Sequence, residues 1–332
     1  MIKILTYDQI DQQQWQKLIE ASATATWFQT PEAYRFYQSV SGMQAFAVGV
    51  EEEGRLDGIV VGYTTKEKCK FKQYFTARTI IPGGPLLARG ISNQALSTLL
   101  IALKEKLDST IYIESRNYNN YSVWKSVFES CGFIYNQHLD FHIDTSSNDL
   151  AQSRIGKHRW KYIRLSMRDG AKIVDNPTIE QVRVFYTILL DLYQTKVKTP
   201  LWSWEFFEQL YYVEHAKYIL VELDGQIVGG TVCVCLPGKA VYEWYACGLD
   251  NCRDDIRPLS VAIWGEMQYA ADNGYPLFDF MGAGKPDEPY GVRNFKAEFG
   301  GELVEHGRFL CIRKPLLYKI GTLGVKWLKK RK

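Results

Sequence analysis

The chain has 332 residues, of which 46% are hydrophobic and 23% charged, and its net charge is +3. No run approaches the eighteen apolar residues of a membrane span, and the first residues lack a signal-peptide pattern, so we expect a cytoplasmic protein. The seven cysteines include no Cys-x-x-Cys pair, which argues against a disulfide framework and a zinc site, and we predict neither metal nor cofactor. A chain of this length usually divides into two domains.

The predicted elements follow the same order twice along the chain. Each half begins with two apolar strands around a turn, continues through an extended stretch and a proline loop, and ends with an apolar helix and a short strand. In the second half, Asp224-Gly225 has the composition of a tight hairpin turn. The segments are 46–63, 79–85, 93–107 and 110–115 in the first half, and 218–236, 254–260, 260–274 and 276–281 in the second.

A polar, serine-rich stretch and a basic amphipathic helix separate the two copies, between residues 143 and 170. The change in composition places the boundary near 145–152. We therefore predict a first domain at 1–150, a second at 151–313, and a separate C-terminal segment at 314–332.

The two copies also end on a shared pattern. In residues 124–128 and again in 295–299, an aromatic residue precedes a lysine, and a phenylalanine follows that lysine three positions later. This spacing puts the two aromatic residues on one helical face and lets Lys125 or Lys296 project beside it. The motif is thus a feature of the fold, and the second copy differs by ending in Phe-Gly-Gly.

The ending of the first copy, from Asn119-Asn120 through Phe128 to Gly132-Phe133, resembles the last core helix of the GNAT acyltransferase fold. Two such domains, with a basic helix at 157–173 and the segment 277–301, resemble the Fem peptidyltransferases, which add amino acids from aminoacyl-tRNA to the peptidoglycan stem peptide. The resemblance covers essentially the whole chain. The chain lacks the coiled-coil insertion that some members of the family carry. It implies an α/β fold of two tandem GNAT-like domains, with mixed sheets flanked by helices, facing across a cleft.

The resemblance also implies an enzyme, an aminoacyltransferase that forms an amide bond on a muramyl-peptide or other cell-envelope precursor, with aminoacyl-tRNA as donor. Two alternatives stay open: an acyl-thioester-dependent N-acyltransferase of polysaccharide or envelope biosynthesis, and a non-catalytic RNA- or envelope-binding protein. The loops at 83–85 and 253–258 lack the pattern typical of CoA users, which favours another donor. Trp202 stands before Phe206-Phe207, where compact Fem enzymes that bind a UDP-linked precursor usually carry an arginine.

The C-terminal segment is strongly basic. Residues 313–332 carry eight Lys or Arg and no Asp or Glu. In the compact Fem branch this segment returns to the first domain, and we expect it to pack there. The alternative is peripheral contact with an anionic membrane, which would put the protein at the inner face of that membrane.

Lys296 and Phe295 match a Phe-Lys pair that, in the resembling family, lies near the aminoacyl acceptor end. A lysine there can stabilise an oxyanion or bind a phosphate, so we predict a catalytic role for Lys296 and substrate binding for Phe295. The alternative is a surface ion pair of Lys296 with Glu298 or Glu302. Asp279, at the end of a predicted strand, is a candidate base or substrate anchor, although a structural acid bonded to an amide is the more ordinary role.

The basic helix offers candidate phosphate ligands. Lys157 and Arg164 lie seven residues apart, near two helical turns, and share one face with Lys161 between them. This stripe and Arg159 are predicted to bind RNA backbone or a diphosphate. A solvated linker helix would explain the same residues equally well.

Three aromatic residues lie on the strand before the second proline loop. Strand alternation predicts Tyr242 and Trp244 on one face and Tyr245 on the other. We name Tyr242 and Trp244 as candidate substrate-binding residues, because aromatic rings that line a cleft can hold a sugar or a peptide. Burial in a core is the commoner arrangement for such rings.

Overall fold

The chain forms two units, each built on one mixed sheet flanked by helices. One unit combines residues 1–138 with 305–332, and the other contains residues 139–304. The predicted α/β class with two mixed sheets is therefore confirmed. The computed structural model describes residues 1–67, 69–249 and 252–330, apart from the side chains of 70, 72 and 325–330.

The helices and strands are numbered in chain order. Up to residue 138 they are β1 (Ile2–Thr6), α1 (Gln12–Ala21), α2 (Pro31–Ser39), β2 (Met43–Glu52), β3 (Arg55–Thr65), α3 (Lys70–Thr76), β4 (Thr79–Gly83), β5 (Leu86–Leu87), α4 (Asn93–Lys106), β6 (Tyr112–Asn117), α5 (Lys125–Ser130) and β7 (Ile134–Asn136). The following residues form β8 (Leu139–Asp144), α6 (Asn148–Arg154), α7 (Lys157–Arg168), β9 (Lys172–Val174), α8 (Ile179–Leu192), α9 (Trp204–Tyr211), β10 (Ala216–Leu223), β11 (Gln226–Leu236), β12 (Ala240–Gly248), α10 (Pro258–Asp272), β13 (Leu277–Asp279), α11 (Gly291–Ala297) and β14 (Glu302–Glu305). The chain ends with β15 (Arg308–Ile312) and α12 (Pro315–Lys330).

The two sheets have the same strand order, as the internal repeat predicts. The first runs β1-β2-β3-β4-β6-β15-β7, with β5 paired to β3, and the second runs β9-β10-β11-β12-β13-β8-β14. In each sheet one central pair is parallel, β4 with β6 and β12 with β13. Strands β8 and β15 occupy equivalent positions, so each copy supplies one strand to the sheet of the other copy.

This exchange moves the unit boundaries away from the predicted ones. Strand β8 pairs with β13, and β15 pairs with β6. The units therefore change between residues 138 and 139 and between 304 and 305, whereas we predicted limits at 150 and 313. The prediction followed a change in composition, but the hydrogen bonds between distant strands decide to which unit each strand belongs.

The first hairpin of each copy closes with two residues at positive φ. Glu53 and Gly54 have φ of 53° and 81°, and Asp224 and Gly225 have φ of 51° and 78°. A two-residue type I′ turn requires positive φ at both positions, which Asp-Gly adopts readily. The predicted tight turn at Asp224-Gly225 is confirmed.

Helix α10 has apolar residues on nearly every side, and strands and helices of the second unit pack against nearly all of its surface. It begins at Pro258, a residue suited to the first helical position, and packs on β10, β11 and β12 as well as on α6 and α7. Among its buried residues is one acid, Glu266. The packing of α7 on α10 brings the basic helix beside the start of α10.

The C-terminal segment belongs to the first unit but leaves an apolar face exposed. Lys314 Nζ donates to the Ser109 carbonyl at 2.6 Å, and the rings of Tyr318 and Tyr112 lie 5.5 Å apart. Farther along α12, Leu316, Ile320 and Leu323 are exposed. The remaining apolar residues of α12, Val325, Trp327 and Leu328, have side chains outside the described part of the structure. Within the described residues, none of the helices combines the length and the apolarity needed to cross a bilayer.

Candidate active site

The segment after α11 turns sharply against the start of α7. Phe299 is fully buried, and the Gly156 amide donates to the Glu298 carbonyl at 2.8 Å. Gly300 follows at φ +80°, and a Cβ there would overlap the carbonyl of Arg154. Only glycine fits this close backbone approach, which accounts for the Phe-Gly-Gly ending of the second copy.

Arg159 joins three helices of the second unit. Its guanidinium binds the Glu298 carboxylate at 2.9 Å and donates to Ser260 Oγ at 2.8 Å. The guanidinium carbon also lies 4.5 Å from the ring centre of Phe295, within range of a cation–π contact. The side chain is only 14% exposed, so these contacts fix its position at the start of α10.

A pocket of about 420 Å³ opens where α10 begins. Arg159, Arg257 and Phe295 line it together with Ser260. The first amides of a helix have no intrahelical acceptors, and they carry the positive end of the helix dipole. The lining adds two arginines and one acid, Asp254, so the pocket keeps a positive balance that suits a phosphate or a carboxylate.

Lys296 points away from solvent, in contrast to its counterpart in the first copy. Its Nζ donates to the carbonyls of Phe280 at 2.7 Å and Gly282 at 2.9 Å, and lies 3.7 Å from Glu243. Its side chain is 13% exposed, whereas that of Lys125 is 44% exposed beside Glu129. The alternative of a surface pair with Glu298 or Glu302 is wrong, because the lysine is drawn inward by carbonyls at the end of β13.

Glu243 is the acid that accompanies Lys296. It lies on β12 and is buried, and within the described residues its Oε2 makes no hydrogen bond. Burial raises the pKa of this carboxyl to about 7, against the opposing effect of the Lys296 charge. A carboxyl of this kind is present in both protonation states near neutral pH and is suited to accept or donate a proton.

Asp279 lies behind this pair, in a buried cluster with Asp140 and His142. The Asp279 carboxylate accepts from the Met281 amide at 2.6 Å and lies 3.4 Å from His142 Nε2. Burial, reinforced by the charge of Asp279, raises the pKa of Asp140 well above its usual value. Burial lowers the pKa of His142, but the hydrogen bond and charge of Asp279 outweigh it and raise that pKa.

The same cluster is the one group in the described part of the second unit whose side chains come close enough to hold a metal ion. Asp140 already accepts two amide hydrogen bonds, from Phe141 and Gly282, each at 2.7 Å. A raised pKa for Asp140 fits a proton shared between two carboxyls. The arrangement therefore holds the end of β13 and the lysine beside it in place.

The basic helix presents two different faces. Lys157, Lys161 and Arg164 are exposed along one stripe of α7, and Arg159 turns into the pocket instead. The sequence grouped these side chains as one set of phosphate ligands. The structure separates them into a pocket arginine and an exposed basic stripe.

The aromatic residues on β12 do not alternate as predicted. Tyr242 is buried, and the rings of Trp244 and Tyr245 both lie against Phe206, at 5.1 and 6.0 Å. The prediction that Trp244 and Tyr245 face opposite sides is wrong because the strand is bulged. Val232 pairs with Tyr245 and the next residue of β11 pairs with Glu243, so Trp244 is an extra residue in the ladder.

Sequence reasoning missed two residues of this site. Glu243 lies between two aromatic residues on an apolar strand. A single acid in such a strand indicates a buried, functional carboxyl, and this was the signal that the sequence offered. Arg257 precedes Pro258 at the start of α10, and its guanidinium donates to the carbonyls of Asp254 and Ile256. The sequence analysis compared its loop, 253–258, with the phosphate-binding loops of CoA users but did not single out the arginine.

Residues 157–296 match the family model described as an acetyltransferase (GNAT) domain. No curated protein sequence matches the chain.

Among solved structures, FemX is similar over 96% of this chain and 99% of its own, with 15% identity and a TM-score of 0.73. The C-terminal domain (DUF2156) of a putative lysylphosphatidylglycerol synthetase from Agrobacterium fabrum is similar over 91% of both chains, with 11% identity and a TM-score of 0.59. A tandem GNAT protein from the clavulanic acid biosynthesis pathway is similar over 94% of this chain and 99% of its own, with 10% identity and a TM-score of 0.58. The chain therefore has a Fem-like tandem GNAT fold.

Proposed function

We propose that the chain is an acyltransferase that transfers an aminoacyl group from aminoacyl-tRNA to an amine of a cell-envelope precursor. The GNAT domain match and the fold shared with FemX support acyl transfer. The observation that carries the tRNA donor is the double use of α7. Arg159 lines the pocket, and Lys157, Lys161 and Arg164 form an exposed basic stripe on the same helix.

The stripe lies on the face of α7 roughly opposite Arg159, so one ligand that contacts both the stripe and the pocket must extend around the helix, which suits a long polyanion better than a small one. Acyl-CoA carries its phosphates at one end of a short molecule, whereas a tRNA acceptor arm carries one phosphate per nucleotide. In this proposal the stripe binds backbone phosphates and the pocket receives the 3′ end. The Phe295 ring and the Arg159 guanidinium offer a surface for the terminal base.

The reaction joins an amine nitrogen to the acyl carbon and breaks the ester bond to the ribose oxygen. The attacking amine must lose a proton, and the ribose oxygen must gain one. We assign the proton acceptor to Glu243, which lies 3.7 Å from the ammonium of Lys296, the residue that follows Phe295 of the pocket lining, and whose pKa of about 7 suits this exchange near neutral pH. The positive charge of Lys296 beside Glu243 favours the ionised form of that carboxyl. Asp279 is a positioning residue, because it holds the turn after β13 whose Gly282 carbonyl accepts from Lys296.

The envelope location of the acceptor is supported by the fold shared with FemX and with the lysylphosphatidylglycerol synthetase domain. The choice of an amine rests on the amide-forming reaction expected from the sequence, because phosphatidylglycerol offers hydroxyls and no amine. Tyr242 is buried in the core and Trp244 packs on Phe206. We therefore propose that Trp244 supports the substrate side of β12 and that Tyr242 supports the strand from within.

Donor-exchange mass spectrometry tests this function. The protein is incubated with muramyl-peptide precursors and, in separate reactions, with charged tRNA or with acyl-CoA, and the acceptor mass is measured. We expect an added aminoacyl mass only with charged tRNA. An acyl mass gained from acyl-CoA alone would contradict the donor, and no product with either donor, together with RNA binding, would contradict the enzymatic role.

A further inference from the structure

Two helices of the first unit expose apolar side chains beside each other. On α3, Phe71, Tyr74 and Phe75 are exposed, Phe71 to 76%. On α12, Leu316, Ile320 and Leu323 are exposed as well. We call these six side chains the apolar patch. Single exposed apolar residues are ordinary, but a contiguous group of this size marks an interaction surface.

The two helices are joined through Ile111, the residue directly before β6. The Ile111 amide donates to the Ala77 carbonyl, directly after α3, at 2.8 Å, and the Ile111 carbonyl accepts from the Arg313 and Lys314 amides, directly before α12, at 2.9 and 3.0 Å. Lys314 Nζ lies 4.2 Å from the ring centre of Tyr74. The end of α3 and the beginning of α12 are therefore held together, which places the exposed apolar residues on two adjoining helices of the first unit.

The exposed residues of α12 have the spacing of one helical face. Leu316, Ile320 and Leu323 follow each other at i, i+4 and i+7, which places them in a single stripe. A helix that packed this stripe on its own unit would bury it. In the described part of α12 the stripe faces outward instead, and among the described residues the packing expected from the sequence is found at the start of the segment.

The sequence segments that carry the patch are strongly basic, and this charge selects the partner. Residues 66–78 carry four lysines and one arginine against one glutamate, and residues 313–332 carry eight Lys or Arg and no acid. Aromatic and aliphatic side chains flanked by cations are typical of segments that lie in the interface of an anionic bilayer, with apolar groups among the acyl chains and cations at the lipid phosphates. We infer that the patch formed by α3 and α12 docks the protein on an anionic membrane surface.

This docking is independent of the proposed reaction, because it uses the first unit and none of the residues of the candidate active site. In this docking α12 lies parallel to the membrane surface. Binding should fall steeply with salt because lysines and arginines supply the long-range attraction. The apolar side chains should supply the part of binding that salt does not remove.

Vesicle co-sedimentation of the full chain tests the inference. The probes are vesicles of phosphatidylcholine alone and of phosphatidylcholine with one quarter phosphatidylglycerol. We expect sedimentation with the anionic vesicles at low salt and little with the neutral ones. No sedimentation with anionic vesicles at low salt would overturn the inference.

Matched variants locate the surface. The triple variant Leu316→Gln, Ile320→Gln, Leu323→Gln and the double variant Phe71→Ser, Phe75→Ser should each reduce vesicle partitioning by about tenfold or more. The control triple variant Ile101→Gln, Val123→Gln, Ile134→Gln removes exposed apolar residues of the same unit from other elements, and it should partition like the unchanged protein. Equal loss in control and patch variants would overturn the assignment.

Light scattering after size exclusion separates lipid docking from self-association, and circular dichroism checks that each variant is folded. A monomer that loses vesicle binding in the patch variants supports the inference. A dimer that dissociates in those variants, without vesicle binding, would show that a second copy covers the patch and would overturn it.

Discussion

The guanidinium carbon of Arg159 lies 4.5 Å from the ring centre of Phe295, while its nitrogens bind Glu298 and Ser260. Helices α7, α10 and α11 therefore meet at a single side chain beside the pocket. Arginine meets all three partners at once because its planar fork can bind two of them and stack on a third. Arg159 is thus the residue through which the site is most directly tested.

Arg159→Lys should weaken tRNA binding by about tenfold while retaining the charge. A single ammonium cannot bind Glu298 and Ser260 together and stack on Phe295, and the difference is worth on the order of 1 to 2 kcal/mol. Fluorescence anisotropy with labelled charged tRNA measures the affinity. Arg168→Lys, at an exposed arginine of the same helix that pairs with Asp169, is the matched control and should bind normally. Equal affinities for the two variants would contradict the role of Arg159.

The exposed stripe should determine the salt dependence of RNA binding. Replacing Lys157, Lys161 and Arg164 by serine should reduce the slope of log affinity against log salt by about two, since each phosphate contact contributes roughly 0.7 to 0.9. The free energy of unfolding should change by less than about 1 kcal/mol because exposed charges contribute little.

The control for the stripe removes three exposed cations of the first unit, in the variant Lys17→Ser, Lys106→Ser, Lys125→Ser. Its slope should equal that of the unchanged protein. If both triple variants lower the slope equally, the binding depends on overall charge, and the stripe has no specific role.

The two equivalent lysines should differ sharply in their effect on stability. Lys296→Met leaves Glu243 without its cation and the carbonyls of Phe280 and Gly282 without a donor, which should lower the free energy of unfolding by about 3 to 5 kcal/mol. Lys125→Met removes an exposed pair with Glu129 and a cation–π contact with Tyr135, whose ring centre lies 4.4 Å from Nζ, and should lower it by about 1 kcal/mol or less. Urea unfolding measures both, and similar losses would contradict the buried environment of Lys296.

Stability should fall as pH rises through the pKa of Glu243. The folded chain keeps the proton up to about pH 7, whereas the unfolded chain releases it near the usual value of 4.5. The folded state therefore binds more protons between these values, and the free energy of unfolding decreases with pH across that window, by at most about 3 kcal/mol for this group. Asp140 and Glu266, whose pKa values burial raises, act in the same direction.

Glu243→Gln should reduce this dependence by the share that Glu243 contributes, because the amide does not titrate. Urea unfolding at pH 5.5 and at pH 8.0 measures it for both proteins. Glu288→Gln is the control, since Glu288 is exposed in a pair with Lys285, and it should keep the full dependence. A Glu243→Gln protein that loses as much stability between the two pH values as the unchanged chain would contradict the assignment.

Gly300→Ala should destabilise the second unit more than a substitution at a comparable but open glycine. Gly300 combines φ of +80° with close approach to the Arg154 carbonyl, whereas Gly225 has φ of +78° with nothing within 4 Å of a Cβ. We expect a loss of about 1 kcal/mol for Gly225→Ala from the backbone conformation alone. Gly300→Ala should lose about 3 kcal/mol or more because backbone atoms must also move. Thermal unfolding compares the two, and equal losses would show that the backbone around Arg154 relaxes freely.

Local patterns predicted the elements well because they depend on neighbours in sequence. The turn at Asp224-Gly225, the apolar helix from Pro258 and the repeated strand order needed only alternation, helical spacing and turn composition. The exchange of β8 and β15 could not be predicted, because their partners lie more than a hundred residues away and any apolar strand edge would satisfy the same pattern. The bulge at Trp244 was also hidden, since one extra residue in a ladder leaves no mark on local composition.

The candidate site was predicted in part for the same reason. Lys296 and Phe295 were found through a shared motif, and Arg159 through the charge of its helix. The inward turn of Lys296 depends on carbonyls at the end of β13 and on Glu243, which lie far away in sequence. A charge on a short helix gives no indication of which side its neighbours cover, so the surface and the buried alternatives looked alike.

The proposed function requires that the aminoacylated end of tRNA enter the pocket at the start of α10. Photocross-linking from a tRNA that carries 8-azidoadenosine at its 3′ end, followed by peptide mass spectrometry, locates that end on the protein. We predict cross-links within residues 253–260 or at Phe295 that unlabelled charged tRNA abolishes and acyl-CoA does not. Cross-links confined to residues 1–138, or cross-links that acyl-CoA removes, would show that the acceptor end does not bind in this pocket.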